Sequence, residues 1–249
     1  MSKQRIKFNL LIHDLKVPLA VIEAGILSLL QRTEKYGPIT EKQENVLRRV
    51  LRNAKVTQTL VNDALEVGRS SEGIISKNRF IMSYLINQSL MELFDLTDNE
   101  ATDKIKDCKD LQTLKQILSV KGIILDIDER LWCKEVILDE RKMSQILRNL
   151  LSNALKYRKD KIQIGISLKD GSLTVSVIDD GQGIPVSFHE NIFRCYFQMD
   201  DQKEHCVRGH GLGLAGVMVL VEDMGGELFL ESDLGRGAKF SVRLPVNGV

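Results

Sequence analysis

Several things are missing from this chain of 249 residues. No apolar run approaches the roughly 20 residues that a membrane-spanning helix needs, and the opening Met-Ser-Lys-Gln-Arg-Ile-Lys has no apolar signal-peptide region or cleavage site. Direct membrane insertion of this chain is therefore not expected. The four cysteines, Cys108, Cys133, Cys195 and Cys206, are irregularly spaced without a Cys-x-x-Cys pair, which fits reduced thiols in a cytosolic compartment rather than a disulfide framework. Cys206 with His205 and His210 is too loosely spaced to argue for zinc. Net charge is nearly absent as well: 35 basic against 34 acidic residues leave +1, which removes the bulk electrostatic case for nucleic acid or a lipid surface. Aromatic residues are only 5%, yet 43% hydrophobic and 28% charged residues are what a globular core requires.

The charge balance conceals an asymmetry. Twelve basic and seven acidic residues lie at or before Ser70, leaving 23 basic and 27 acidic beyond it. Two domains with different electrostatic roles are expected. Across residues 6–30 apolar side chains recur at helical spacing (Phe8, Leu11, Leu15, Leu19, Ile22, Ile26, Leu29, Leu30), with Gly25 on the same stripe. Residues 33–40 carry turn chemistry, and Thr40 is a candidate N-cap for a second helix striped by Val46, Leu47, Val50, Ala54, Leu60, Val61, Ala64, Leu65 and Val67. Two helices cannot enclose stripes this wide. Pairing with a second copy into a four-helix bundle is the economical solution, so residues 1–70 are expected to make a homodimer.

Residues 71–79 read as a linker, and the pattern then changes. Residues 84–96, 141–157 and 212–224 look helical, while 122–127, 134–138, 227–232 and 238–244 look strand-like. Residues 162–168 and 172–178 form a hairpin across Asp170-Gly171. This alternation over residues 80–249 predicts an α+β two-layer sandwich, one sheet under one helical layer. Residues 97–118, with Ala101, Ile105, Cys108, Leu111, Leu114 and Leu118 on one stripe, predict an added amphipathic helix, either packing on the core or offering a surface to a partner, of which packing is favoured.

Four places carry chemistry. Asn149 and Asn153 share a helix face with Lys156 and Tyr157, and asparagine is unfavourable inside a helix unless it lines something polar. Residues 177–185 end a strand in a turn with Asp179, Gly181 and Gly183, where glycine lets a flat ligand approach the backbone and a carboxylate accepts from an exocyclic amine. Gly209, Gly211 and Gly213 precede a helix, a setting that suits phosphate through free amides and the helix dipole. No Gly-Lys-Ser/Thr supports a P-loop, and no parallel βαβ unit supports a dinucleotide site. Residues 188–208 form a long polar stretch of the kind that makes a lid.

Taken in order, Asn-x-x-x-Asn with Lys and Tyr, Asp-x-Gly-x-Gly-Ile, Phe193 and Tyr196, Gly-x-Gly-Leu-Gly-Leu, and Gly225-Gly226 resemble the ATP-binding domain of the GHKL superfamily, the Bergerat ATPase fold of gyrase, mismatch-repair ATPases and sensor histidine kinases. Ile12-His-Asp-Leu-Lys-Val-Pro-Leu19, on a hairpin helix, is similar to the phosphoacceptor box of histidine kinases. The resemblance implies an ATP-dependent protein histidine kinase of a two-component system, cytoplasmic or the cytoplasmic portion of a larger sensor. By that likeness Asn153 with Asn149 would hold Mg²⁺ between the phosphates, Lys156 and Tyr157 would contact phosphate and nucleotide, and Asp179 would take the adenine amine. Gly181, Gly183 and Ile184 would form the adenine wall. Phe193 and Tyr196 would pack the base of an ATP lid over residues 188–208. Arg208, Gly209, Gly211, Leu212, Gly213 and Leu214 would lead into the helix under the phosphates. His13 would be the phosphorylated residue, with Asp14 orienting its ring or taking a proton, and the phosphoryl group would pass to an aspartate of a response-regulator receiver.

The chain departs from that pattern in places. Ala238 stands where a Thr commonly supplies a hydroxyl near the adenine, and Gln198 stands where a base often follows the lid aromatics, leaving Lys156, Lys203 or Arg208 to neutralise phosphate. Val17, one turn beyond His13, replaces the Thr or Asn of phosphatase-competent relatives, so phosphatase activity is expected to be weak. The competing classes are a nucleotide-binding scaffold without phosphotransfer and a GHKL ATPase that works by conformational change.

Overall fold

The computed structural model describes residues 2–69, 76–95, 98–108, 110–194 and 213–246. It divides into two units, Met1–Ser71 and Glu72–Val249. In the first, α1 (Ser2–Gln31) continues through Pro18, and α3 (Glu41–Arg69) packs along it after a short helix, α2 (Thr33–Tyr36), inside the expected turn. Thr40 starts α3 with a reciprocal cap. Its Oγ1 accepts from the Gln43 N–H at 3.3 Å and its own N–H donates to Gln43 Oε1 at 2.8 Å, the Thr-x-x-Gln form of a capping box. Ile26 and Ala54 are buried between the helices beside a Glu23–Lys55 ion pair at 4.0 Å. Leu15, Ile22, Val46 and Val50 remain exposed on this unit.

In the second unit a five-stranded sheet runs in the order β2 (Ile123–Ile127), β4 (Ile162–Lys169), β5 (Ser172–Asp179), β7 (Ala238–Pro245), β6 (Glu227–Ser232). β2 runs parallel to β4 and every other pair is antiparallel, so the sheet is mixed rather than all antiparallel. The β4–β5 turn has positive φ at both Asp170 (49°) and Gly171 (70°), the geometry that matches strand twist in a two-residue hairpin. Side chains alternate along β4, β5 and β7. Ile162, Ile164, Ile166, Leu173, Val175, Val177, Phe240 and Val242 enter one core with α4 (Met82–Phe94), α8 (Glu140–Tyr157) and α9 (Gly213–Asp223).

Three local expectations differ from the structure. A four-residue strand, β1 (Asn78–Ile81), falls partly within the expected linker and pairs antiparallel with β3 (Glu135–Leu138), outside the main sheet. It escapes a pattern search because only Phe80 of its four residues is buried. The 97–118 stripe is two helices, α5 (Asn99–Lys106) and α6 (Leu111–Val120), because Asp98 and Asp110 each cap a new start by accepting from Ala101 N and Thr113 N. Ala101, Ile105, Leu111, Leu114 and Leu118 enter the common core, so both helices pack as structure. The first helix of the unit begins at Met82 rather than 84. A single turn, α7 (Glu129–Trp132), joins β2 to β3.

Candidate functional site

Asp139 starts α8. Its buried carboxylate accepts from Lys142 N at 3.1 Å and from Ser76 N at 2.9 Å. The helix buries Met143, Ile146, Leu147, Leu150, Leu151 and Ala154. Asn149 and Asn153 follow the same helix one turn apart, half-buried at Asn153 and 7% exposed at Asn149. Asn149 Nδ2 donates to the Gly213 carbonyl at 3.3 Å, joining α8 to α9. At the other end of α9, Asp223 pairs with Lys142 at 2.8 Å, both side chains nearly buried, so α9 is pinned to α8 at both of its ends. Lys156 and Tyr157 are exposed at the end of α8, with the ammonium 4.8 Å from the ring centre.

Asp179 ends β5 on the inward face set by Val175 and Val177, and is 7% exposed. Burial pushes its carboxyl above the ordinary aspartate range, while the N–H groups of Gly181, at 2.9 Å from Oδ1, and of Ala238 work the other way. A β-carbon at Gly181 would stand 2.3 Å from the Tyr157 carbonyl oxygen, so the turn passes directly against the end of α8. That contact brings the Asp179 turn to the helix of the two asparagines. Across the sheet Asp179 pairs with Ala238 and Ala238 with Ser232, a row of carboxylate, methyl and hydroxyl. Ile184 is half-buried against the core, as is Phe193, whose ring meets Phe240 edge-on at 6.5 Å.

The structure therefore brings Asn149, Asn153, Asp179, Gly181, Gly183, Ile184, Phe193, Gly213 and Leu214 into one unit. His13 and Asp14 lie on α1 in the other unit, their side chains outside the described residues, as are Tyr196, Lys203, Arg208, Gly209, Gly211 and Leu212. Asp180 was not singled out by the sequence. Its carboxylate accepts from the consecutive N–H groups of Lys159, Asp160 and Lys161 at 2.9–3.2 Å and fixes the loop after α8. Strand parity was the available signal, since Val175, Val177 and Asp179 point inward and Asp180 does not.

Residues 138–248 match the family of histidine kinase-, DNA gyrase B-, and HSP90-like ATPases. The chain is similar to the circadian input-output histidine kinase CikA of Synechococcus elongatus, 29% identical over 94% of this chain and 29% of the relative. It is also similar to the histidine protein kinase DivJ of Caulobacter vibrioides, 29% identical over 94% of this chain and 36% of that protein. The chain is similar to sensor histidine kinase catalytic cores, with the family's ATPase domain over residues 138–248. It spans between a quarter and just over a third of the length of the first relatives it matches (25%, 29% and 36%). The full-length ShkA structure in complex with AMPPNP has the same fold, with a TM-score of 0.67, 24% identity, and coverage of 98% of this chain and 46% of that one. The Acinetobacter baumannii histidine kinase AdeS superposes with a TM-score of 0.57, 18% identity, and coverage of 95% of this chain and 98% of that one. Among the described residues no helix of this chain is long and apolar enough to cross a membrane.

Proposed function

We propose that this chain is an ATP-dependent protein histidine kinase that phosphorylates its own His13 and passes the phosphoryl group to an aspartate of a response-regulator receiver. The observation that carries the reading is the combination, in one chain, of a buried acceptor at the glycine turn, Asp179, with a helical hairpin bearing His13 and Asp14. An ATPase that only changes shape has no use for such a hairpin. The adenine amine donates to Asp179, the base lies along Gly181, Gly183 and Ile184, and the phosphates reach the first turn of α9, where helix-terminal amides favour anions.

The donor set fits Mg²⁺, which prefers oxygen ligands, keeps several waters and shares substrate phosphates rather than occupying an all-protein cage. The amide oxygens of Asn153 and Asn149 supply that kind of ligand, and among the described residues no cluster of three His, Cys, Asp or Glu offers a cage. Bound there, the ion would neutralise charge on the phosphates during transfer. A neutral His13 nitrogen attacks the γ-phosphorus in line, the new P–N bond forms as the bond to the β-phosphate oxygen breaks, and ADP leaves. Asp14 takes the proton from the ring or orients it. The basic hairpin suits an acidic partner surface, and its exposed apolar face suits a second copy of itself. ATP and receivers are cytoplasmic, so the core would act there, alone or as the cytoplasmic part of a larger sensor.

The test is incubation with γ-labelled ATP and magnesium. The label should be acid-labile and alkali-stable, as a phosphoramidate is, and should vanish in His13→Ala while ATP binding persists. Asn153→Ala should lose magnesium-dependent labelling. Wild-type labelling in His13→Ala would sink the assignment, and an unlabelled wild type that binds ATP would make the chain a nucleotide-binding scaffold.

A further inference from the structure

Ile184 is held from both sides by side chains that have no part in the chemistry above. Its N–H donates to Ser232 Oγ at 2.8 Å, and its carbonyl accepts from His189 Nε2 at 3.0 Å. Ser232 then donates to the Gly237 carbonyl at 2.6 Å. A hydroxyl has one proton to give, so these two contacts fix its orientation: the proton goes to Gly237 and a lone pair faces Ile184. The hydroxyl thereby bridges the segment after β5 to the turn between β6 and β7.

Around that bridge the backbones interlock. A β-carbon on Gly183 would stand 1.9 Å from the Asp233 carbonyl oxygen, and one on Gly237 would stand 1.9 Å from that of Asp179. Gly235 N also donates to the Gln182 carbonyl at 2.6 Å. Residues 180–185 belong to no strand or helix, so these contacts, rather than a ladder, set their height above the sheet. Ser232 lies two strands from Asp179 in the same cross-strand row, with only the Ala238 methyl between them.

We infer that Ser232 and His189 are positioning residues for the nucleotide base: they hold the Ile184 peptide at a fixed place beside Asp179, so that a flat ring resting on Ile184 meets the carboxylate in register. Neither residue touches the base. The inference rests on the ATP site proposed above and names what keeps its wall in place.

Titration of the full chain with ATP and, separately, with inorganic tripolyphosphate, each with magnesium, tests it. Loss of one neutral hydrogen bond corresponds to a weakening of roughly twofold to tenfold. Ser232→Ala and His189→Ala should each weaken ATP by about that factor and leave tripolyphosphate unchanged, and Ser232→Thr, which keeps the hydroxyl, should bind ATP like the wild type. ATP affinity unchanged in both alanine variants overturns the inference, as does equal weakening of ATP and tripolyphosphate, which marks general loosening of the fold. If Ser232→Ala does not fold, the half-exposed His189 carries the test. A wild type that binds tripolyphosphate as tightly as ATP would instead remove the base pocket itself, a failure of the ATP reading that is visible before any variant is compared.

Discussion

The two units of this chain solve the problem of burial in opposite ways. The second unit covers one face of its sheet with α4, α8 and α9 and closes a continuous core from Phe80 to Val246. The hairpin buries only Ile26 and Ala54 among its described apolar residues and leaves Leu15, Val17, Val21, Ile22, Val46 and Val50 exposed. Both helices are long, about 30 residues, yet one layer of two helices has no inside. A unit with its own core is stable by itself, whereas a unit without one depends on a partner.

The largest effect should come from separating the two. Residues 75–249 should be a folded monomer that binds ATP, and the full chain should be a dimer at micromolar concentration by light scattering. A full chain measured at 28.2 kDa, the mass of one copy, would break the contrast between the units. Asp substituted at Ile22, on the exposed stripe, should dissociate the dimer without lowering ATP affinity, because it leaves the ATPase core untouched.

Next in size is Asp179→Asn, which should weaken ATP by about 1.5–3 kcal/mol, the range for a hydrogen bond to a charged group. Calorimetric titration of ATP reads this directly, and an unchanged affinity would mean the adenine pocket lies elsewhere. The same change should not lower the stability of the unliganded unit at neutral pH. Burial raises the Asp179 carboxyl, so its contribution to folding is present at low pH and lost as pH rises through the raised value; the amide never carries that charge. For binding the sign is opposite, because the acceptor must be ionised. ATP affinity should therefore begin to fall at a higher pH, on acidification, than an ordinary aspartate would dictate.

How far the sequence reached follows the same division between regular and irregular structure. Helix α8 was legible because Ile146, Leu147, Leu150, Leu151 and Ala154 repeat at helical spacing over about two and a half turns. The β4–β5 hairpin was legible because Asp-Gly accepts two positive φ angles in succession. The β1–β3 ladder was not, since a strand with one buried residue has no period. The break between α5 and α6 was hidden because their buried faces continue one stripe, and only the capping carboxylate of Asp110 separates them. At the site, Asp179 followed from its motif, but Asp180, Ser232 and His189 act through backbone groups of distant segments. Such partners are set by the fold rather than by spacing along the chain.

Asp180 supplies a smaller prediction of the opposite sign. Desolvation works to raise its carboxyl, but the N–H groups of Lys161, Asp160 and Lys159 outweigh it and hold the group below its ordinary range. Stability from a lowered carboxyl is present above the unfolded-state value and lost as pH falls through the folded one. Wild type should therefore melt above Asp180→Asn at neutral pH, and the gap should close on acidification. Hydrogen exchange at residues 159–161 should speed up in the variant. A gap independent of pH would show that shape, not charge, holds this loop.

The smallest effect is sought in the hairpin, at a residue that contributes nothing to a core in one copy of the chain. Val17 is 54% exposed and lies four residues, about one helical turn, beyond His13, on nearly the same side of α1. Removing phosphate from an aspartyl phosphate requires a water placed within about 3–3.5 Å of phosphorus and aligned for attack. An isopropyl group neither accepts nor donates a hydrogen bond, so Val17 cannot hold that water, whereas a threonine hydroxyl of nearly the same shape does both. Dephosphorylation of the cognate receiver should accordingly be slow with the wild type and faster with Val17→Thr under identical nucleotide conditions, with His13 labelling unchanged. Because β-branching is conserved, the helix backbone and the exposed stripe are preserved in this variant. A wild type that already removes phosphate quickly, with no gain from Val17→Thr, would mean that Asp14 or Lys16 places the water instead, and that the face of α1 next to His13 is chemically richer than its apolar stripe implies.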